Sequence, residues 1–540
     1  MEKENFYQKN KIKMKKTFNT TGRCFPEEHF MVDISAKFAE VVNLIDSKKY
    51  FAINRPRQYG KTTMLHLITK TFEQKEDFLV IHTSFEGIGD SPFETEYNFC
   101  KTFIELLAEY TMLTMPEDGK WLLAQAKSME NLKLMSLLIS DFIQRINKKV
   151  LLLIDEVDKS SNNQLFVAFL AMLRDKYLIR DKFPTFHSVI LAGVYDVKTL
   201  KLKLRPDAEK KFNSPWNIAI DFKVKMEFSE AEILPMLQDY QQERGVDVDT
   251  EGVAKQLVFY TSGYPFLISK LCQIFDEEIL PYKTEKIWRI EDVDKSFQMI
   301  LKEEDNANFD NIIKELEHNQ MLYDLLFTII FDGQVMNYNL DEPLIRLGKV
   351  YGILSRSETD HVMIHNRIYR ERIANMMLSR LQVQHIYLNN KVGRDTALSQ
   401  YRNKDHTLNL ELVLQKFEQF MREQRSAKDY DFIERQGRLI FLSFLRPILN
   451  GSGYEFKETQ ISEEQRLDIV ITYFQYRYVV ELKIWRGPQA HQDGLAQLDQ
   501  YLDNLGLTEG YLLIFDHNKK RRKKAHWITF NDKKMYIVFV

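Results

Sequence analysis

A chain of 540 residues is too long for one hydrophobic core, so about three or four domains are expected. With 44% hydrophobic residues, 28% charged residues and a formal net charge of −2, it has the make-up of an ordinary soluble protein. No global field draws it to nucleic acid, and any such contact must come from a local patch. Cys24, Cys100 and Cys272 stand far apart, which speaks against a disulfide scaffold or zinc site and fits a reducing compartment.

In chain order, residues 1–20 read as a flexible basic arm, polar and without the apolar centre of a secretory signal. From about 30 to 225, apolar runs alternate with helical patterns: YFAINRP (50–56), FLVIHTSF (78–85), VLLLIDE (150–156) and SVILAG (188–193). Runs without polar alternation suit strands buried on both faces, hence a parallel sheet covered by helices. Residues 226–300 turn helical, with two amphipathic segments, FSEAEILPMLQDYQQ and SGYPFLISKLCQIFDEEI. Residues 309–377 suggest three helices and a hairpin, the make-up of a winged helix, and a charged helical connection over 381–428 follows. The last segment, 429–540, reads as helix, three strands (454–460, 466–473, 477–484), helix (490–505) and a last core strand (510–515). No apolar run reaches the ~20 residues a membrane helix needs, so a cytoplasmic protein without membrane contact is expected.

The stretch Ile53-Asn54-Arg55-Pro56-Arg57-Gln58-Tyr59-Gly60-Lys61-Thr62-Thr63 follows a strand and opens a helix. A loop so placed can surround phosphates with backbone N–H groups, while Lys61 reaches the β and γ oxygens and Thr62 holds magnesium. It departs from G-x-x-x-x-G-K-[ST] at one point, with Arg55 where the first glycine would stand. Four apolar residues then deliver Asp155 and Glu156 to the end of a strand, where Asp155 can bind the magnesium and Glu156 can polarise the attacking water.

At these residues the chain resembles the prokaryotic AAA-like ATPases, relatives of the STAND ATPases. RPRQYGKTT is similar to their "RPR-x-x-GK-[ST]" loop, in which Arg commonly replaces the first Gly. HFMVD (29–33), NSPWNI (213–218), GYP (263–265) and NRIY (366–369) match as well. The resemblance implies that residues around 30–33 line the adenine side, and that Pro265 is the lid's nucleotide contact. A plain helix-start turn would equally explain GYP. Arg55, Arg57 and Arg174 are candidates for phosphate or subunit contacts, with a possible homo-oligomer; a solvated helix arginine is the simpler reading of Arg174.

Toward the carboxyl terminus, alternation in Arg466-Leu467-Asp468-Ile469-Val470 places Asp468 on one sheet face. Glu481 and Lys483, two apart on a neighbouring strand, share a face. Two carboxylates and a lysine converging from paired strands make a magnesium site beside a cation that can orient a water. This resembles the PD-(D/E)xK nuclease core, with Leu-Asp in place of Pro-Asp and Glu-Leu-Lys as the second element. The resemblance implies metal ligation by Asp468, Glu481 and a helical Glu434, and a Q-x-x-x-Y element at Gln497 and Tyr501. An exposed strand pair with salt bridges is the structural alternative. The run Lys519-Lys520-Arg521-Arg522-Lys523-Lys524 can hold phosphates or be a solvated hairpin tip.

The expected architecture is therefore α/β. It runs from the arm to a P-loop parallel-sheet ATPase (21–225), a helical lid (226–300), a winged-helix unit (301–380), a helical linker (381–428) and a restriction-endonuclease-like α/β domain (429–540). The expected function is an ATPase whose nucleotide state regulates a magnesium-dependent endonuclease, with ATP and Mg2+ as cofactors. DNA is the expected partner and RNA stays open; the winged helix, without a clear basic recognition helix, reads better as a brace. The rival is a nucleotide-switched interaction module whose nuclease fold binds without cutting. A DNA translocase lacks its helicase motifs. The resemblance further implies prokaryotic defence against foreign DNA or mobile-element biology.

Overall fold

The four apolar runs form the parallel sheet expected of them. In this computed structural model, β1 (Phe51–Asn54), β2 (Phe78–Ser84), β3 (Lys149–Asp155) and β4 (Ser188–Gly193) lie in the order β1-β4-β3-β2, and each neighbouring pair is parallel. Leu151, Leu152, Leu153 and Ile154 are fully buried, as a strand covered on both faces requires. Beyond β1 the sheet continues as a single bridge, in which Ile220 pairs with Phe51 and its N–H donates to Tyr50 O at 3.0 Å. The structure describes residues 15–157, 164–194, 216–303, 306–332, 335–384, 401, 403, 405, 407–424, 441–442, 444–445, 448–449, 453–456, 469–473, 476–485, 487–516 and 524–540. Two compact units divide the chain: Met1–Lys314 with Asn339–Ser355 and Ile364–Tyr369, and Glu315–Tyr338 with Arg356–Met363 and Arg370–Val540.

In the first unit the sheet is flanked by α1 (Ser35–Asp46), α2 (Lys61–Phe72), α3 (Glu96–Thr114), α4 (Pro116–Ala126), α5 (Leu132–Ile146) and α6 (Gln164–Leu178). Thr95 and Asn131 start α3 and α5 by accepting hydrogen bonds from Asn98 N and Leu134 N, and Pro116 takes the first position of α4. Gly119 lets α3 and α4 meet, since a Cβ there would lie 2.3 Å from Met112 Cγ. Phe169 packs edge to face on Phe99 and Phe103, its ring centred 5.1 and 4.9 Å from theirs.

The helical region holds four helices where two amphipathic segments were expected: α7 (Glu230–Arg244), α8 (Thr250–Thr261), α9 (Pro265–Ile274) and α10 (Ile290–Lys302). Between them, β5 (Asp247–Val248) and β6 (Ile287–Trp288) form a short parallel pair. Ser229 and Glu232 close the start of α7 as a capping box. Gly263 is a structural necessity: its φ is +78°, and a Cβ would fall 2.3 Å from Phe228 O. Part of the stretch expected to be an arm, 1–20, is packed. Residues 1–14 lie outside the described residues, but Lys16 Nζ already pairs with Asp239 at 2.8 Å, and Phe18, 3% exposed, packs against Phe30 and Tyr240. Next in the chain come α11 (Ala307–His318), α12 (Gln320–Phe327), α13 (Pro343–Val350), the short strands β7 (Leu354–Arg356) and β8 (Val362–Ile364), and α14 (Arg367–Gln384).

The second unit contains α15 (Leu410–Gln424), α16 (Pro488–Leu505) and a six-stranded mixed sheet: β9 (Gly453–Phe456), β10 (Ile469–Tyr473), β11 (Tyr476–Ile484), β12 (Glu509–Phe515), β13 (His526–Phe530) and β14 (Lys533–Phe539). β9, β10 and β11 form an antiparallel meander, α16 crosses over to β12 parallel to β11, and β14 runs parallel to β12. Leu498 and Leu502 of α16 pack on Val479, Leu512 and Ile537. On the other face, set by alternation, Gln415 of α15 donates to Tyr536 OH at 2.8 Å. The helix expected to be a connection is thus part of this unit. Nor is 510–515 the last core strand, because β14 inserts beside it with Met535 and Ile537 fully buried. Among the described residues no helix is long and apolar enough to cross a membrane.

Candidate functional site

The loop after β1 turns into α2 through two residues in the left-handed region, Gln58 at φ +56° and Gly60 at φ +78°. Lys61, the first residue of the helix, is 6% exposed. Its ammonium is folded back into the loop, donating to Arg55 O at 3.0 Å and Pro56 O at 2.9 Å. Thr62 Oγ1 donates to Asp155 Oδ2 at 3.0 Å, joining the start of α2 to the end of β3. The other oxygen of Asp155 accepts the Glu156 N–H at 2.9 Å. Glu156 itself stands at φ +52°, a conformation that costs a non-glycine residue about 1 kcal/mol or more and that clusters at functional sites. Lys61, Thr62, Asp155 and Glu156 therefore come together at the carboxyl edge of the parallel sheet, where this class of fold places its ligands. A hydroxyl and a 5%-exposed carboxylate in contact form a donor pair of the hard-oxygen kind that suits magnesium. Among the described residues no cluster of three His, Cys, Asp or Glu side chains forms a closed metal cage.

Arg55 is placed differently from the sequence expectation. Its guanidinium donates to Val224 O at 2.7 Å and Phe222 O at 3.4 Å, and lies 5.4 Å from the centre of the Phe222 ring. It ties the loop to the segment that follows Ile220 at the sheet edge, and only its backbone carbonyl faces Lys61. Burial pulls its pKa down, opposed by Glu227. Arg55→Ala is therefore expected to lower stability by about 1–3 kcal/mol in denaturant titration, because it strands part-buried carbonyls. ATP affinity should stay close to wild type in the folded variant; its collapse would return Arg55 to the phosphates.

The other loop residues divide by direction. Arg57 and Gln58 are exposed at the crown, Pro56 is buried, and Gln58 Oε1 accepts from Asn308 Nδ2 at 2.8 Å. Thr63 Oγ1 accepts the Cys24 N–H at 3.2 Å. Tyr59, 2% exposed, points into a buried cluster: its hydroxyl donates to Glu227 Oε1 at 3.2 Å and lies 2.8 Å from His365 Nε2. Tyr264 stacks edge-on against Tyr59 at 4.4 Å and donates to Arg57 O at 2.6 Å. Burial, with Glu227 alongside, pushes the Tyr59 phenol up; it pushes Tyr264 up to about 12 and holds His365 down. This cluster escaped the sequence reading, although a tyrosine within both RPRQYGKTT and SGYP was a signal that pointed to it.

Beside the loop lies a cleft whose walls include Phe30, Met31, Met64, Met226, Phe228 and Pro265. The resemblance assigned residues 30–33 and Pro265 to the base side; Phe30, Met31, Val32 and Pro265 line this cleft, and Asp33 is not among its lining residues. Thr20, Thr21, Gly22 and Cys24 line it as well, residues that sequence reasoning had assigned to the arm or left unassigned. Arg174, half-buried on α6, is not among these lining residues.

In the second unit, Glu481 is 1% exposed and its Oε1 accepts from Lys483 Nζ at 2.9 Å. α16 lies over this pair: a Cβ on Gly494 would come 3.1 Å from Lys483 Cγ. Gln497 is half-buried on the same helix and Tyr501 fully so. Ile469 pairs with Val480, next to Glu481 in the chain. Asp468, Glu434 and Lys519–Lys523 lie outside the described residues; Lys524 is exposed ahead of β13.

A family model described as an AAA-like domain matches residues 40–371. No curated protein matches the chain. Similar solved structures include the Walker-type ATPase paby2304 of Pyrococcus abyssi, at 15% identity and a TM-score of 0.45, covering 66% of this chain and 99% of that one. The Aeropyrum pernix ORC2 protein follows at 10% identity and 0.39, covering 65% and 93%. The Thermotoga maritima RuvB Holliday junction branch migration motor shows 13% identity and 0.32, covering 62% and 92%. Likenesses this distant carry nothing about what the present chain does.

Proposed function

The chain belongs to the AAA-like domain family, and we propose that it binds and hydrolyses ATP and that its nucleotide state governs a magnesium-dependent endonuclease in its second unit. The observation that carries the ATPase half is the 3.0 Å contact between Thr62 and Asp155, with Lys61 buried beside it. In this reading the triphosphate replaces Arg55 O and Pro56 O as partner of the Lys61 ammonium, exchanging neutral acceptors for charged ones. Thr62 Oγ1 and an Asp155 oxygen would hold magnesium, which when bound neutralises charge on the phosphates. Glu156 accepts a proton from the attacking water. Phe30, Met31, Met64 and Pro265 supply the apolar faces against which the base packs.

The nuclease half rests on the meander β9-β10-β11 followed by the crossover α16 to a parallel β12, with Glu481 and Lys483 side by side on β11. The proposal requires the Ile469–Val480 register to run one residue further and set Asp468 opposite Glu481. Asp468 and Glu481, with Glu434 as a further candidate, would then hold magnesium, while Lys483 orients the water or stabilises charge at the scissile phosphate. DNA is the proposed substrate, held in part by Lys519–Lys524. α11, α12 and α13 followed by β7 and β8 have the order of a winged helix, proposed as a brace. One observation favours the non-cleaving rival: one Glu481 oxygen is already engaged by Lys483 and the side chain is almost inaccessible.

Incubating the purified chain with plasmid, linear and single-stranded DNA, with ATP, ADP or no nucleotide and with or without magnesium, separates the two. The proposal expects magnesium-dependent cleavage at rates that differ among nucleotide states, since a ligand indifferent to two arrangements shifts neither. Equal rates would mean the units are merely tethered. No cleavage of any DNA or RNA would favour the binding module.

A further inference from the structure

Lys176 on α6 is 3% exposed, yet it forms the floor of an open cleft between α5 and α6. Its ammonium donates to Ser136 O at 2.7 Å and to Ser140 Oγ at 2.6 Å, and that hydroxyl passes its own hydrogen on to Pro184 O at 2.9 Å. Both acceptors of Lys176 are neutral. Asp141 and Asp175 act on it from further off, and among the described residues no carboxylate lies within ion-pair distance. An ammonium carries three N–H donors, and the two hydrogen bonds use two of them. A cation taken out of water with no carboxylate in direct contact is costly, and a methionine would fill the same space without that cost. Burial accordingly pulls Lys176 down to about 8.

The walls above this floor are mostly apolar, with Lys133, Ser136 and Asp175 as their polar members. Leu137, Met172, Ile179 and Phe183 line the cleft, and at its mouth Leu137 is 52% and Phe183 50% exposed. Large apolar side chains left open around a buried cation that has only neutral hydrogen-bond acceptors are complementary to an amphiphilic anion. We propose that this cleft binds a small amphiphilic carboxylate, with its aliphatic or aromatic body against Leu137, Met172, Ile179 and Phe183 and its carboxylate on the remaining Lys176 donor. A phosphate fits less well, because its several anionic oxygens would meet one donor and apolar walls. α5 leads into β3 and α6 follows it, so an occupant bridges the two helices that bracket Asp155. The proposal rests on the fold and stands whether or not the chain hydrolyses ATP.

Calorimetric titration of the full chain with octanoate and with 1-octanol tests it. Octanoate is expected to bind saturably, and octanol about tenfold or more weakly, since it lacks the charge-assisted hydrogen bond. Lys176→Met should erase the difference between the two probes. Phe183→Ser, at a half-exposed position, should weaken both. Equal affinity of the wild type for octanoate and octanol, absence of saturable octanoate binding, or unchanged octanoate binding by Lys176→Met would each overturn the proposal. The two-probe comparison in the wild type, together with Phe183→Ser, decides the matter should Lys176→Met fail to fold.

Discussion

Glu156→Gln is expected to bind ATP as the wild type does and to lose turnover by about 10²–10⁴-fold, the usual contribution of a positioned general base. The amide keeps the size and hydrogen-bonding reach of the side chain but does not accept a proton from water. The backbone is expected to tolerate the change, because the Glu156 N–H to Asp155 Oδ1 contact and the φ of +52° do not depend on the carboxylate. Steady-state phosphate release and equilibrium binding of a fluorescent ATP analogue measure the two halves separately. Wild-type turnover in this variant would move the water-activating role elsewhere on the carboxyl edge of the sheet.

Lys483→Ala is expected to lower DNA cleavage by about 10²–10³-fold, the loss that follows removal of one transition-state contact. ATP hydrolysis, which draws on residues of the first unit, should be unchanged. The variant is also expected to cost stability, about 1–3 kcal/mol, because Glu481 at 1% exposure is left without its cation. Cleavage must therefore be read at a temperature where thermal unfolding shows the variant folded. Asp468→Ala should abolish cleavage too, but through the metal, so excess magnesium should partly rescue it and should not rescue Lys483→Ala. Identical magnesium dependence in the two variants would contradict the division of labour between carboxylates and lysine, and undiminished cleavage by both would remove the site.

What could be read from the sequence was what local pattern determines. VLLLIDE and SVILAG are strands because an unbroken apolar run has both faces to bury, and the residues that end them sit at the sheet's carboxyl edge without further information. Glu481 and Lys483 share a face because the strand period is two. Long-range partners were out of reach. The direction of the Arg55 side chain is set by carbonyls 167 and 169 residues further on, and the surroundings of Tyr59 by His365, 306 residues away. The burial of Glu481 likewise depends on a helix that passes over it at Gly494. α8 lies in the stretch read as helical without being singled out there; Asp249 caps it by accepting the Gly252 N–H. MYIVFV was a plain apolar run, but the six basic residues ahead of it resembled the end of a core and hid the return to the sheet.

The central claim is that Lys61, Thr62, Asp155 and Glu156 form one ATP-hydrolysing site. Magnesium-dependent ADP release by wild type and Lys61→Ala, measured side by side at saturating ATP with binding followed in parallel, tests it most directly. The wild type is expected to turn over. Lys61→Ala should bind ATP roughly tenfold to a hundredfold more weakly, the worth of a charge-assisted contact, and should release no ADP above background. Turnover by Lys61→Ala at the wild-type rate would contradict the site.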